Sequence, residues 1–164
     1  MSAKFSDCRR YRYSLTRRWK EPSGLPRRVA FIGLNPSTAD EIEDDPTIRR
    51  CISFAKAWGF DELVMLNLFG WRATDPRELK RTDDPIGASN DYNILCETLG
   101  CEVVVAAWGV HGAYLERDAA VGRLVRKLHA LRVTKGGHPA HPLYLPSHLS
   151  PLPWTPPPPW EPPP

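Results

Sequence analysis

Three stretches of the chain hold side chains whose chemistry and spacing could serve a ligand. In Gly33-Leu34-Asn35-Pro36, Gly33 permits close backbone approach, Asn35 offers a carbonyl acceptor and an amide donor, and Pro36 fixes the turn. The alternative is that Asn35 only caps a turn ahead of a solvated acidic loop that ends at Asp45. Asn67, at the end of a second apolar run, could present one donor and one acceptor to the edge of a planar heterocycle, with Phe69 or Trp71 as the stacking face. Alternatively Phe69 and Trp71 close the core. His138 and His141 are each followed by proline, and rigid histidines on a loop suit hydrogen-bond donation to a developing anion, or else rest on the surface.

Other chemistries lack their usual signatures. There is no GxxxxGK[ST] phosphate loop, no GxGxxG fingerprint and no GxSxG nucleophile turn. Cys8, Cys51, Cys96 and Cys101 form no CxxC pair and are expected as buried, reduced thiols rather than disulfides. No third ligand accompanies the two histidines, so neither a metal nor a cofactor is expected.

The elements that must position these residues alternate. Arg9 to Trp19 interleaves Tyr11, Tyr13 and Leu15 with Arg or Thr at period two, as a strand or hairpin with one polar face. Val29 to Leu34, Leu63 to Leu68 and Val103 to Ala107 are short apolar runs of the buried parallel type. Asp45-Pro46 starts a helix closed by Gly59, Asp75-Pro76 caps a short one, and Ser89 or Asn90 begins another that ends at Gly100. A longer helix is expected over Ala113 to Leu131, and a last strand over Pro142 to Pro146. This order predicts an α/β fold with a mostly parallel central sheet and helices on both faces. Ligands of such sheets bind beyond the carboxyl ends of the strands, which singles out Gly33 to Asp40, Asn67 to Asp75, and Trp108 to Gly112.

Nine of the 18 prolines lie between Pro151 and Pro164, so residues 1–150 are expected to form one domain, and 151–164 a disordered, proline-rich tail. That tail carries Trp154 and Trp160 and could dock on an aromatic groove of a protein partner. No apolar run approaches the roughly 20 residues that span a bilayer, and the N-terminal residues lack a signal-peptide core, so a cytoplasmic protein without membrane contact is expected. The net charge of +3 conceals an asymmetry: residues 1–30 hold nine Lys and Arg against two acids, a net +7 that leaves −4 elsewhere. Arg9, Arg10, Arg12, Arg17 and Arg18, interleaved with aromatics, suit a nucleic-acid backbone or unstacked bases, or else the charged edge of a sheet.

Several motifs together resemble domain-of-unknown-function family 1643, a bacterial and phage family. They are Cys8 to Tyr13 (CRRYRY), Phe31 to Asp40 (FIGLNPSTAD), Asp44 to Cys51 (DDPTIRRC), Trp58 to Phe60 (WGF), Asn67 to Pro76 (NLFGWRATDP) and Gly137 to Leu145 (GHPAHPLYL). More distantly, the order of GLNPS, LNL with a following RATDP, VVVAAWG and an HP-containing loop is similar to the uracil-DNA glycosylase superfamily. That resemblance implies a three-layer sandwich that acts on a flipped base in nucleic acid, or on a nucleotide, by hydrolysis of the N-glycosidic bond. Under it Asn35 positions the attacking water, Asn67 reads the base, and His138 or His141 stabilises the departing base. Ser37-Thr38 stand where an aromatic often follows the first motif, and the histidine loop carries an insertion. The alternative is a non-catalytic nucleotide- or metabolite-binding module.

Overall fold

Val29 to Leu34 and Leu63 to Leu68 are apolar at both parities. In the computed structural model, which describes residues 2–20 and 24–157, they form neighbouring parallel strands at the centre of a sheet. The strands are β1 (Ser2–Phe5), β2 (Arg12–Arg18), β3 (Arg28–Gly33), β4 (Glu62–Asn67), β5 (Val103–Ala106), β6 (Leu128–Ala130) and β7 (Leu152–Trp154). The helices are α1 (Pro46–Ala57), α2 (Asn90–Leu99) and α3 (Arg117–Leu124). The sheet runs β1-β2-β4-β3-β5-β6-β7. Only its middle, β4-β3-β5-β6, is parallel, and β1, β2 and β7 join antiparallel, so the sheet is mixed where a mostly parallel one was expected.

Because side chains alternate along a strand, the central strands build two cores. Val29, Phe31, Leu63, Met65 and Val105 meet Ile48, Cys51, Phe54 and Ala55 of α1 on one face. Ala30, Ile32, Val64, Leu66 and Val104 meet Ile94 of α2 and Val121 of α3 on the other. Each fully buried Leu, Ile or Phe contributes about 1.5–3 kcal/mol relative to exposure. Asp45 caps α1 by accepting from the Ile48 amide at 2.9 Å, with Pro46 at the first helical position, as the sequence predicts. Asp75 likewise accepts from the Arg77 amide at the head of a 3₁₀ helix, Pro76–Arg81.

Three expectations need correction. The apolar spacing from Ala113 to Leu131 suits one long helix, but Leu115 and Glu116 are left-handed (φ 53° and 52°), which ends a 3₁₀ segment and starts α3. Leu128 to Ala130 then pairs with β5 and β7, because the open edge of β5 offers a ladder that local periodicity cannot reveal. Pro142 to Pro146 is no strand: Pro142–Tyr144 is a 3₁₀ turn capped by His141, whose Nδ1 accepts from the Leu143 amide at 3.3 Å. Leu152–Trp154, placed in a disordered tail by composition, is β7, an edge strand, where Pro153 is tolerated. Trp160 lies outside the described residues.

The thiols also differ from expectation. All four are free, yet only Cys51 is buried, while Cys8 and Cys96 are exposed. Among the described residues, no helix is long and apolar enough to cross a membrane, and no cluster of three or more His, Cys, Asp or Glu could hold a metal ion.

Candidate functional site

β3 and β4 end side by side, with Gly33 in register with Asn67, and the chain leaves β5 through Ala107 and Trp108. The β3–β4 connection crosses to one side of β3 and the β5–β6 connection to the other, which makes the carboxyl ends of β3 and β5 the switch point of the parallel strands. A cavity of about 530 Å³ opens there.

Asn67 is one of the polar groups that line that cavity. It is 1% exposed, and neither its Oδ1 nor its Nδ2 has a hydrogen-bond partner among the described residues. Unpaired amides are rare in a folded interior, since each lost partner costs about 1–3 kcal/mol. Gly33 makes room for it: a Cβ at that position would sit 3.0 Å from Asn67 Oδ1 and 2.7 Å from Met65 Cε. The backbone behind it is clamped. Asn90 Nδ2 donates to the carbonyls of Asn67 and Leu68 at 3.0 Å each, and Arg117 donates to Leu68 O through Nε at 3.1 Å and Nη2 at 3.0 Å while pairing with Asp91.

Asn35 also lines the cavity, but its Nδ2 is engaged with Ala73 O at 2.7 Å and Pro36 O at 3.1 Å. That leaves Oδ1 as the atom it can offer. Pro36 itself is buried and its carbonyl receives the Ala73 amide, so its part is to join the two loops. His141 stands at the rim. Its ring is open on one side, and the crowding on the other lowers its pKa below 6.5 by desolvation, against the opposing pull of Asp45. His138 lies outside the lining, and its Nδ1 is buried without a partner among the described residues.

The two aromatics expected to stack on a ligand are elsewhere. Phe69 is fully buried against Tyr114, with ring centroids 5.6 Å apart, and Trp71 packs edge-on to Tyr11 at 5.4 Å with Arg10 above it. The aromatic that does line the cavity is Trp108, 2% exposed, whose Nε1 has no partner among the described residues. Gly112 accommodates it, because a Cβ there would lie 2.1 Å from Trp108 Cδ1. The strand-end rule pointed to Trp108 to Gly112, but nothing local marked the indole.

The five N-terminal arginines separate. Arg9 and Arg10 are exposed, Arg9 bridging to Glu41 at 3.0 Å. Arg17 is buried against Asp44 at 2.8 Å, and Arg18 reaches Glu62, which also binds Arg28. Arg12 turns inward, 2% exposed, and lines the cavity. Much of the basic charge of residues 1–30 is therefore matched internally by the acids of the remainder, through Lys4–Glu97, Lys20–Asp61 and Arg27–Glu102 as well.

No curated protein and no solved structure matches the chain. A family model does, over residues 12–143, a span that includes the cavity residues from Arg12 through Asn35 and Asn67 to His141. On that match the chain belongs to the family described as protein of unknown function, DUF1643.

Proposed function

We propose that the protein acts on a nucleobase, in nucleic acid or in a nucleotide, with a three-layer architecture of the uracil-DNA glycosylase type and hydrolysis of the N-glycosidic bond as its reaction. The observation that carries this reading is the buried, unpartnered amide of Asn67 on the wall of a cavity at the strand ends. One donor and one acceptor held by a clamped backbone suit the amide-like edge of a pyrimidine. Asn35 Oδ1 orients the attacking water. His141 is neutral at neutral pH, and because Nδ1 accepts from the Leu143 amide its proton sits on Nε2, where it donates to the departing base. Extruding a base from its stack costs a few kcal/mol, which contacts from the exposed Arg9 and Arg10 help to offset.

The test is incubation with duplex and single-stranded oligonucleotides that contain uracil or other altered bases, followed by detection of abasic sites. Base release that Asn67→Ala abolishes supports the reading; release from none of them, with no nucleic-acid binding, ends it.

A second reading, a non-catalytic nucleotide or metabolite sensor, draws support from the engaged amide of Asn35 and the absence of Phe69 and Trp71 from the cavity. Salt separates the two. Affinity that falls steeply with salt reports released phosphate counterions, whereas a salt-insensitive thermal shift by a small molecule favours the sensor.

A further inference from the structure

We propose that Arg12 is an oxyanion receptor inside the cavity, so that its ligand carries a phosphate or carboxylate group beside the part that Asn67 reads.

Arg12 is an anomaly of β2. Strict alternation would place it on the face opposite Leu15. The pairing of β1 with β2 slips here: Lys4 opposes Ser14 and Phe5 opposes Arg12, so Tyr13 is an extra, bulged residue. Across that bulge the faces exchange. Leu15 remains in the core over α1, the Tyr13 ring lies against Gly70 and Gly87, and Arg12 joins the α1 side, where Nη1 donates to Ala39 O. A bulge that re-aims one side chain is a frequent device beside binding sites.

The guanidinium so delivered is incompletely satisfied. Its Nε has no hydrogen-bond partner, and no carboxylate bridges to it among the described residues. Asp45 and Asp40 act on it only at longer range, and Arg17 and Arg72 add like charge. Burial lowers its pKa to about 10, which still leaves it cationic at neutral pH. A buried cation without a counter-ion is strongly disfavoured, and a planar guanidinium facing a cavity is matched by the two oxygens of a carboxylate or phosphate. The indole Nε1 of Trp108, beyond β5, also lines the cavity without a partner among the described residues.

The receptor itself stands on Arg12; that the anion is joined to a nucleobase rests on the function proposed above. Thermal shift and calorimetry with inorganic phosphate and with acetate, at ionic strength fixed with chloride, identify which anion binds. The comparison is between wild type, Arg12→Gln and the exposed control Arg126→Gln, outside the cavity. Binding in wild type and R126Q that weakens about tenfold or more in R12Q is the expected result. No binding to wild type, equal binding to R12Q, or equal loss in R126Q overturns it. Should R12Q fail to fold, wild type decides alone: the Arg12 Nε–H resonance moves and saturates as the anion is added, and an unmoved resonance overturns the proposal. Uridine and uridine 5′-monophosphate separate the two readings. Phosphate bound through Arg12 with uridine ignored leaves the receptor standing and removes the nucleobase. Uridine bound, with the monophosphate preferred equally by wild type and R12Q, removes the receptor alone.

Discussion

Under the proposed function, Asn67 sets stability against ligand binding in one side chain. Its amide is buried and unpaired, so an apolar side chain of similar shape should relieve a desolvation penalty of about 1–3 kcal/mol while removing the ligand's partner. Asn67→Leu is therefore expected to match or exceed the wild type in urea denaturation and to lose ligand binding; a large loss of stability would mean that the amide is satisfied in solution. His141 gives a pH signature. Its folded pKa is lowered, by desolvation foremost, so the unfolded chain binds the proton more readily. The contribution is thus fully present above about 6.5, the unperturbed value, and is lost as pH falls through the folded pKa. An NMR titration should place the His141 midpoint below the unperturbed value of about 6.5, and a midpoint at or above it refutes the assignment. Cys8 is a free, exposed thiol with a lowered pKa. Hydrogen bonds from Ser6 and from Arg10 bring its pKa down to about 7, whereas burial raises Cys101 to about 11 and Cys51 higher still. Iodoacetamide at pH 7 should modify Cys8 well before Cys51, as peptide mass spectrometry would report.

At the scale of elements, legibility tracked how local the cause was. Asp45-Pro46 and Asp75-Pro76 announce their helices because cap and first turn are adjacent in sequence. The three apolar runs announce β3, β4 and β5 because burial on both faces removes alternation. The bulge at Tyr13 was not legible: the alternation of Arg9 to Trp19 reads as unbroken, and only the pairing with β1 shows the slip that turns Arg12 inward. The candidate site divides in the same way. Gly33, Asn35, Asn67 and His141 were found because they sit at strand ends or in a marked loop, while Arg12, Trp108 and the clamp of Asn90 and Arg117 depend on distant partners. The break ahead of α3 yields a prediction of sign. Glu116 is left-handed, a conformation that costs a non-glycine residue about 1–2 kcal/mol, so Glu116→Gly should stabilise or leave stability unchanged. In a continuous helix from Ala113 to Leu131 the same change would cost about 1 kcal/mol. Thermal denaturation of the variant distinguishes the two.

Across the whole molecule, two features that composition reads as separate, the proline-rich end and the site, are joined by packing. β7 covers the edge of β6, and Trp154 donates from Nε1 to Gly137 O at 3.3 Å while its ring meets Trp108 edge-on at 5.5 Å. Trp108 is the aromatic wall of the cavity. A chain ending at Ser150 would thus lose more than a tail: it exposes the β6 ladder, leaves one side of Trp108 without a neighbour, and uncovers apolar surface near Val125 and Leu128. Removing a packed aromatic typically costs about 3–5 kcal/mol, and because Trp154 is only half-buried about 2 kcal/mol is expected here. Trp154→Ala in the full chain should reproduce most of that loss, since Leu152 is exposed and Pro153 donates no ladder hydrogen bond. Equal stability of the chain ending at Ser150 would return the prolines to the role that composition gave them; a drop shared by that truncation and W154A makes β7 part of the scaffold that holds the cavity.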